Sequence, residues 1–133
     1  MISVPRWDVL AAIGAGGALG SLARYGLSLA IPHARGEFAV ATLLTNVLGC
    51  LLIGVLMAIL TTAAHPHHLL RPFLGVGILG GFTTFSTFVT DTLDAATTGR
   101  LAGSLAYVAA SVGLCLAAVA AGLAATRAAR KGR

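Results

Sequence analysis

The sequence predicts an all-α integral membrane protein of four transmembrane helices, with the third broken near its midpoint. Three observations carry this expectation. The 133 residues are 57% hydrophobic and only 10% charged, whereas a soluble domain carries about 25% charged residues. The apolar residues gather into four long runs, each at or beyond the roughly 20 residues that a helix needs to cross a bilayer. The basic residues, which set a net charge of +5, fall mostly between or beyond those runs, as in a multi-pass membrane protein. This balance excludes an ordinary soluble globule and a disordered chain. It also leaves too little polar surface for a face that tracks phosphates, so no nucleic-acid partner is expected. Residues 1–133 read as one membrane domain in contact with the lipid bilayer.

The first crossing is expected over residues 8–31, ended by Pro32, with Arg24 near its far end. Its length, its glycines and the lack of a small-residue cleavage site after it weigh against a cleavable leader. Gly16 and Gly20 form a small-xxx-small pair, which reads as tight helix packing. The second crossing, 38–64, closes at His65-Pro66 and carries Asn46 without any charge. The third, 69–93, has Pro72 in its first turn, where the missing N–H costs nothing. The fourth, 101–125, leads into a basic tail of Arg127, Arg130, Lys131 and Arg133. Short loops make successive helices antiparallel. His65, His67 and His68 around Pro66 read as a solvated turn. Cys50 and Cys115 each lie within an apolar run and read as small packing residues, not as a disulfide or a metal site.

The third crossing cannot be a plain helix. Gly75, Gly77, Gly80 and Gly81 are followed by Phe82-Thr83-Thr84-Phe85-Ser86-Thr87-Phe88, and both halves are poor helix formers. A break is therefore expected near 80–84. Gly77 and Gly81 also have the spacing of a packing pair, but packing alone does not explain the hydroxyl run. Backbone groups freed in a lipid environment cost several kcal/mol each, so such a break must be buried in protein, line a wet cavity or hold an ion.

The polar residues at depth are neutral: Thr42, Thr45, Asn46, Ser86, Thr87, Tyr107 and Ser111. Thr42 and Asn46 share a face of one helix, and Tyr107, Ser111 and Cys115 share a stripe of another. Asp8, Asp91 and Asp94 fall near segment ends and Glu37 in a loop, so no carboxylate is expected at mid-depth. That argues against proton-coupled export, an acid-lined cation pore and enzymatic catalysis. Hydroxyl and amide donors can solvate an anion, as can the positive edge of an aromatic ring. A small, hard, strongly hydrogen-bonding anion suits them best. Simpler roles stay open at this point. Asn46 can bond a neighbouring helix, and Ser and Thr can bond back to their own backbone. Phe85 and Phe88 can be core, and Arg24 can snorkel to headgroups or attract anions.

Three stretches carry a resemblance. Gly16-Gly17-Ala18-Leu19-Gly20-Ser21-Leu22-Ala23-Arg24-Tyr25, Thr42-Leu43-Leu44-Thr45-Asn46-Val47-Leu48-Gly49 and Gly80-Gly81-Phe82-Thr83-Thr84-Phe85-Ser86-Thr87-Phe88 resemble the Fluc (CrcB) fluoride channels in order and spacing. The resemblance implies a dual-topology chain, an antiparallel homodimer with two fluoride pores, and a structural sodium ion at its centre. It would place the sodium on the backbone carbonyls of Gly80 and Thr83 from both subunits. Asn46, Phe85 and Phe88 would match pore residues, Ser86 and Thr87 the hydroxyl positions after the break, and Tyr107 and Ser111 the polar track. Thr42 shares the Asn46 face, and Arg24 would match a vestibule arginine. The implied role is passive fluoride efflux that confers fluoride resistance. The chain departs from the family pattern at Ala41, where glycine is frequent, at Cys115, where a hydroxyl is more usual, and in its basic tail.

The charge balance bears on orientation. Arg6, Arg71 and the four tail residues put six basic residues on the terminal side, against Arg35 and Arg100 on the other, or three there if Arg24 snorkels that way, and this favours cytoplasmic termini. Without the tail the count is two against three, close to no preference. The competing readings are a small four-helix multidrug exporter, which needs an embedded carboxylate, and a non-conducting membrane scaffold.

Overall fold

The computed structural model describes residues 6–132 and is helical almost throughout. Arg133 of the expected basic tail lies outside the described residues. Helix α1 spans Trp7–Ala30 and α2 spans Val40–Thr62. A π-helical stretch, π1, covers Arg71–Leu79 and passes into a single α turn, α3, at Gly80–Phe82. Helix α4 covers Phe85–Thr97 and α5 covers Leu101–Lys131. Three of these spans, Val40–Thr62, Arg71–Thr97 and Leu101–Lys131, are long and apolar enough to cross a membrane. The 24 residues of α1 reach about 36 Å at the usual helical rise, with Arg24, Tyr25 and several glycines diluting their apolar character.

The glycines fix how α1 meets the third segment. A Cβ on Gly77 would lie 2.9 Å from the Cα of Gly16, and one on Gly81 would lie 3.0 Å from the Cα of Gly17. One on Gly20 would come within 2.8 Å of the Phe82 nitrogen. The two small-xxx-small pairs thus pack against each other, backbone to backbone. Ser21 Oγ adds a bond to the Gly81 carbonyl at 3.4 Å.

Helices α2 and α5 pack as closely. A Cβ on Gly54 would lie 3.1 Å from Leu123 N, and one on Gly122 would lie 3.1 Å from Val55 N. The two helices run parallel, as the second and fourth crossings of an up-and-down chain should. Phe38 and Tyr107 meet near their starts, with ring centroids 5.2 Å apart. Arg130 donates to Thr62 near their ends. Helix α5 continues to Lys131, past the expected end at residue 125. Nothing in Ala-Ala-Thr-Arg-Ala-Ala-Arg-Lys breaks a helix, and its basic end suits the helix dipole.

The α1–α2 loop is tied to the far end of α4. Arg35 pairs with Asp94 at 2.9 Å, and Arg100 donates to the Gly36 carbonyl at 3.1 Å. Gly36 has φ +79°, a left-handed conformation that glycine adopts without strain. At the other end His68 reaches Asp8 at 3.1 Å, and the His67 and His68 rings stack at 4.6 Å.

Candidate functional site

The site is built around two residues that are not helical. Thr83 has φ −74° and ψ 157°, and Thr84 has φ −146° and ψ 123°. Gly80 itself is helical, at φ −65° and ψ −36°. The extended residues therefore lie one turn beyond the glycine pair, where β-branched side chains favour that backbone. The side chains complete the change of direction. Thr83 Oγ1 donates to the Leu79 carbonyl at 2.9 Å. Thr84 Oγ1 accepts from the Thr87 N–H at 3.1 Å and so caps α4.

Asn46 answers the backbone of Thr84. Its Nδ2 donates to the Thr84 carbonyl at 2.9 Å, and its Oδ1 accepts from the Thr84 N–H at 2.8 Å. A continuous α-helix would have given that N–H to Gly80 O. One amide on α2 thus satisfies both polar groups of an extended residue that is 8% exposed.

Two clefts meet at Thr84, the one residue common to both walls. The larger, about 460 Å³, is lined by Asn46, Gly80, Thr83, Phe85, Phe88 and Ser111, together with Cys50 and Cys115. Its wall contains no acid, histidine or basic residue. The smaller, about 300 Å³, is lined by Arg24, Thr42, Thr45 and Thr87, with His33 at its edge. Among the described residues no carboxylate pairs with Arg24.

The expected site residues are thus divided. Asn46, Gly80, Thr83, Phe85, Phe88 and Ser111 share one cleft, and Arg24, Thr42 and Thr87 share the other. Tyr107 and Ser86 line neither. Tyr107 is buried beneath Phe88 at a ring separation of 5.6 Å. Ser86 is exposed and stands 3.3 Å from Thr84 Oγ1. The Phe85 and Phe88 centroids are 5.8 Å apart, and Phe85 is 78% exposed. The hydroxyls of Tyr107 and Ser111 are buried without a hydrogen-bond partner among the described residues. Buried polar atoms are rarely left so.

Three residues of the site were missed or undervalued in the sequence. Thr84 is the junction, and Thr45 is almost fully buried beside the smaller cleft. Asp91, expected near a segment end, turns its carboxylate inward. Thr42 Oγ1 donates to it at 2.7 Å, and His33 Nε2 stands 3.3 Å away. The signal was available, since Thr84, Thr87 and Asp91 recur at three and seven residues and so share a helical face. Thr42 is in the first turn of α2 and His33 is in the α1–α2 loop, so Asp91 stands near a segment end, as expected, with its carboxylate turned onto the protein.

Comparison with known proteins places this geometry. Residues 11–123 match the family described as CrcB-like protein, Camphor Resistance (CrcB). The chain is similar to the fluoride-specific ion channel FluC 2 of Thermobifida fusca, with 54% identity over 90% of this chain and 89% of that one. It is 46% identical to the fluoride-specific ion channel FluC 2 of Nocardia farcinica, over 93% of this chain and 90% of the relative. It is 49% identical to the fluoride-specific ion channel FluC of Paracoccus denitrificans, over 81% and 86% of the two chains. Coverage nearly end to end, a matching family description and helices apolar enough to cross a bilayer agree: this multi-pass bacterial membrane protein belongs to the CrcB family.

Proposed function

We propose that the chain is a fluoride channel that lets fluoride leave the cell passively. The observation that carries this reading is the neutral wall of the larger cleft, with the unpartnered hydroxyls of Ser111 on it and Tyr107 beneath it. A dehydrating fluoride needs hydrogen-bond donors in place of water. A hydroxyl without a partner supplies one without first breaking a protein bond. The Phe85 and Phe88 rings add positive edges beside those donors. Arg24, on the smaller cleft, raises the local concentration of anions at its mouth. The relatives' names, each a fluoride-specific ion channel, support the choice of anion. A wall without acid or histidine offers no proton relay and favours passive flow over proton coupling.

The finer reading is an antiparallel, dual-topology homodimer with two pores. Its third crossing is interrupted at Thr83 and Thr84 near the midplane. Phe85 and Val76, at 78% and 54% exposed, and the open Gly80 lie on a surface that a second copy could cover. A two-fold axis in the membrane plane brings the two interruptions together. The carbonyls of Gly80 and Thr83 fit a sodium ion. They are hard oxygen donors, and the Thr84 N–H that would have occupied Gly80 O is turned to Asn46. Those oxygens would hold the ion, and it would supply a fixed positive charge among them. The chain's own part is to present those oxygens, through the threonine pair and the Asn46 clamp.

The test is fluoride release from liposomes by Asn46→Asp and Phe85→Ile. The first puts a negative charge on the wall, and the second removes a ring edge. Both should lose flux, and full flux in both would remove the pore assignments.

A further inference from the structure

We propose that Cys50 and Cys115 form a two-thiol site for a soft, two-coordinate divalent cation on the wall of the larger cleft. Each residue alone is a small apolar side chain in a long apolar helix. The fold brings the two together. Helices α2 and α5 run parallel and touch backbone to backbone at Gly54 and Gly122. Cys50 stands four residues before Gly54, and Cys115 stands four and seven before Val119 and Gly122, so both face the contact. Both thiols are free and half-buried, and both line the same cleft.

The ligand class follows from charge and coordination. Among the described residues no group of three or more His, Cys, Asp or Glu is gathered for a metal. Zinc, which wants four such ligands, is therefore a poor fit. A hard cation has no use for sulfur. A soft divalent ion content with two thiolates loses nothing, and its complex is neutral, so burying it beside lipid carries no cost of an isolated charge. Binding is ligand exchange without oxidation. Each thiol releases one proton to solvent, and each sulfur forms one bond to the metal. The thiols contribute little to anion solvation, because S–H is a weak donor. They are the soft donors of the wall, and a metal held there shares the cleft with Phe85 and Phe88 and so stands in the path. This last consequence rests on the channel reading, while the binding site does not.

The experiment uses the full chain in detergent with mercury(II) chloride as the probe. It counts metal per chain and thiols still open to a thiol reagent. The site predicts one mercury per chain and loss of both thiols together. It also predicts retention of the metal against about a tenfold excess of a competing monothiol, with Cys50→Ser and Cys115→Ser each releasing it. Two mercury ions per chain, no binding, or release equal to that of the serine variants would overturn the site. If a serine variant does not fold, the wild-type ratio decides alone. Liposome flux is read separately, and mercury should stop fluoride release in the wild type but not in the double serine variant. A chain that binds one mercury as expected yet never releases fluoride would sink the channel reading and leave the thiol site standing. Mercury bound at that ratio with flux unchanged would remove the thiols from the path.

Discussion

Asn46 and Ser111 show opposite relations between bonding and function. The Asn46 amide is fully committed to the Thr84 backbone. Asn46→Ala should therefore leave a buried N–H and C=O unpaired and cost about 2 kcal/mol or more, read as a lower unfolding midpoint in detergent. Ser111 has nothing to lose in the resting fold, since its hydroxyl is buried and unpaired. Ser111→Ala should reduce fluoride flux while the unfolding midpoint holds or rises. A fall in stability with flux intact would instead mark that hydroxyl as structural. At this scale the sequence was partly legible. Residue type and four-residue spacing picked out Thr42, Asn46, Tyr107 and Ser111 as neutral donors facing inward. Spacing could not show which donors are already spent. Asn46 clamps backbone and Thr42 donates to Asp91, while Tyr107 and Ser111 stay open. That division depends on contacts between helices far apart in the chain.

At the level of elements, the glycine-rich third segment does two jobs that its composition had set against each other. Gly77 and Gly81 let α1 approach within van der Waals distance, and the extended residues come only afterwards, at Thr83 and Thr84. Gly77→Val should separate α1 from π1, because the added atoms would meet the Gly16 and Gly17 backbone, which cannot yield. Loss of folded protein on a size-exclusion column is the expected result. Thr84→Val keeps a β-branched residue in the extended backbone but deletes the cap of α4, at a cost of about 1 kcal/mol. The helices themselves were legible, since four apolar runs mark them. The π-helical form of Arg71–Leu79 was not, because its wide hydrogen-bonding register is set by packing and leaves no periodic signature. Nor was the end of α5, where a basic stretch of good helix formers reads equally as tail or helix.

For the whole molecule, the proposed reading assigns orientation to the basic end of α5 and selection of what passes to the cleft. Arg127, Arg130 and Lys131 lie exposed and, among the described residues, without an acidic partner. Replacing all three with glutamine should lower the cytoplasmic share of a topology reporter at the C-terminus. An unchanged share would place the orientation signal elsewhere. The class of molecule was legible from composition and its family from three short motifs. The proposed two-fold assembly rests on the resemblance, because no local pattern in a single chain marks the surface that a second copy would cover. The most direct measurement is electrode-monitored fluoride release from liposomes that hold the purified protein without a proton gradient, with chloride as the control. The account predicts rapid fluoride release and retained chloride. Liposomes that keep their fluoride, or release chloride equally well, would contradict it.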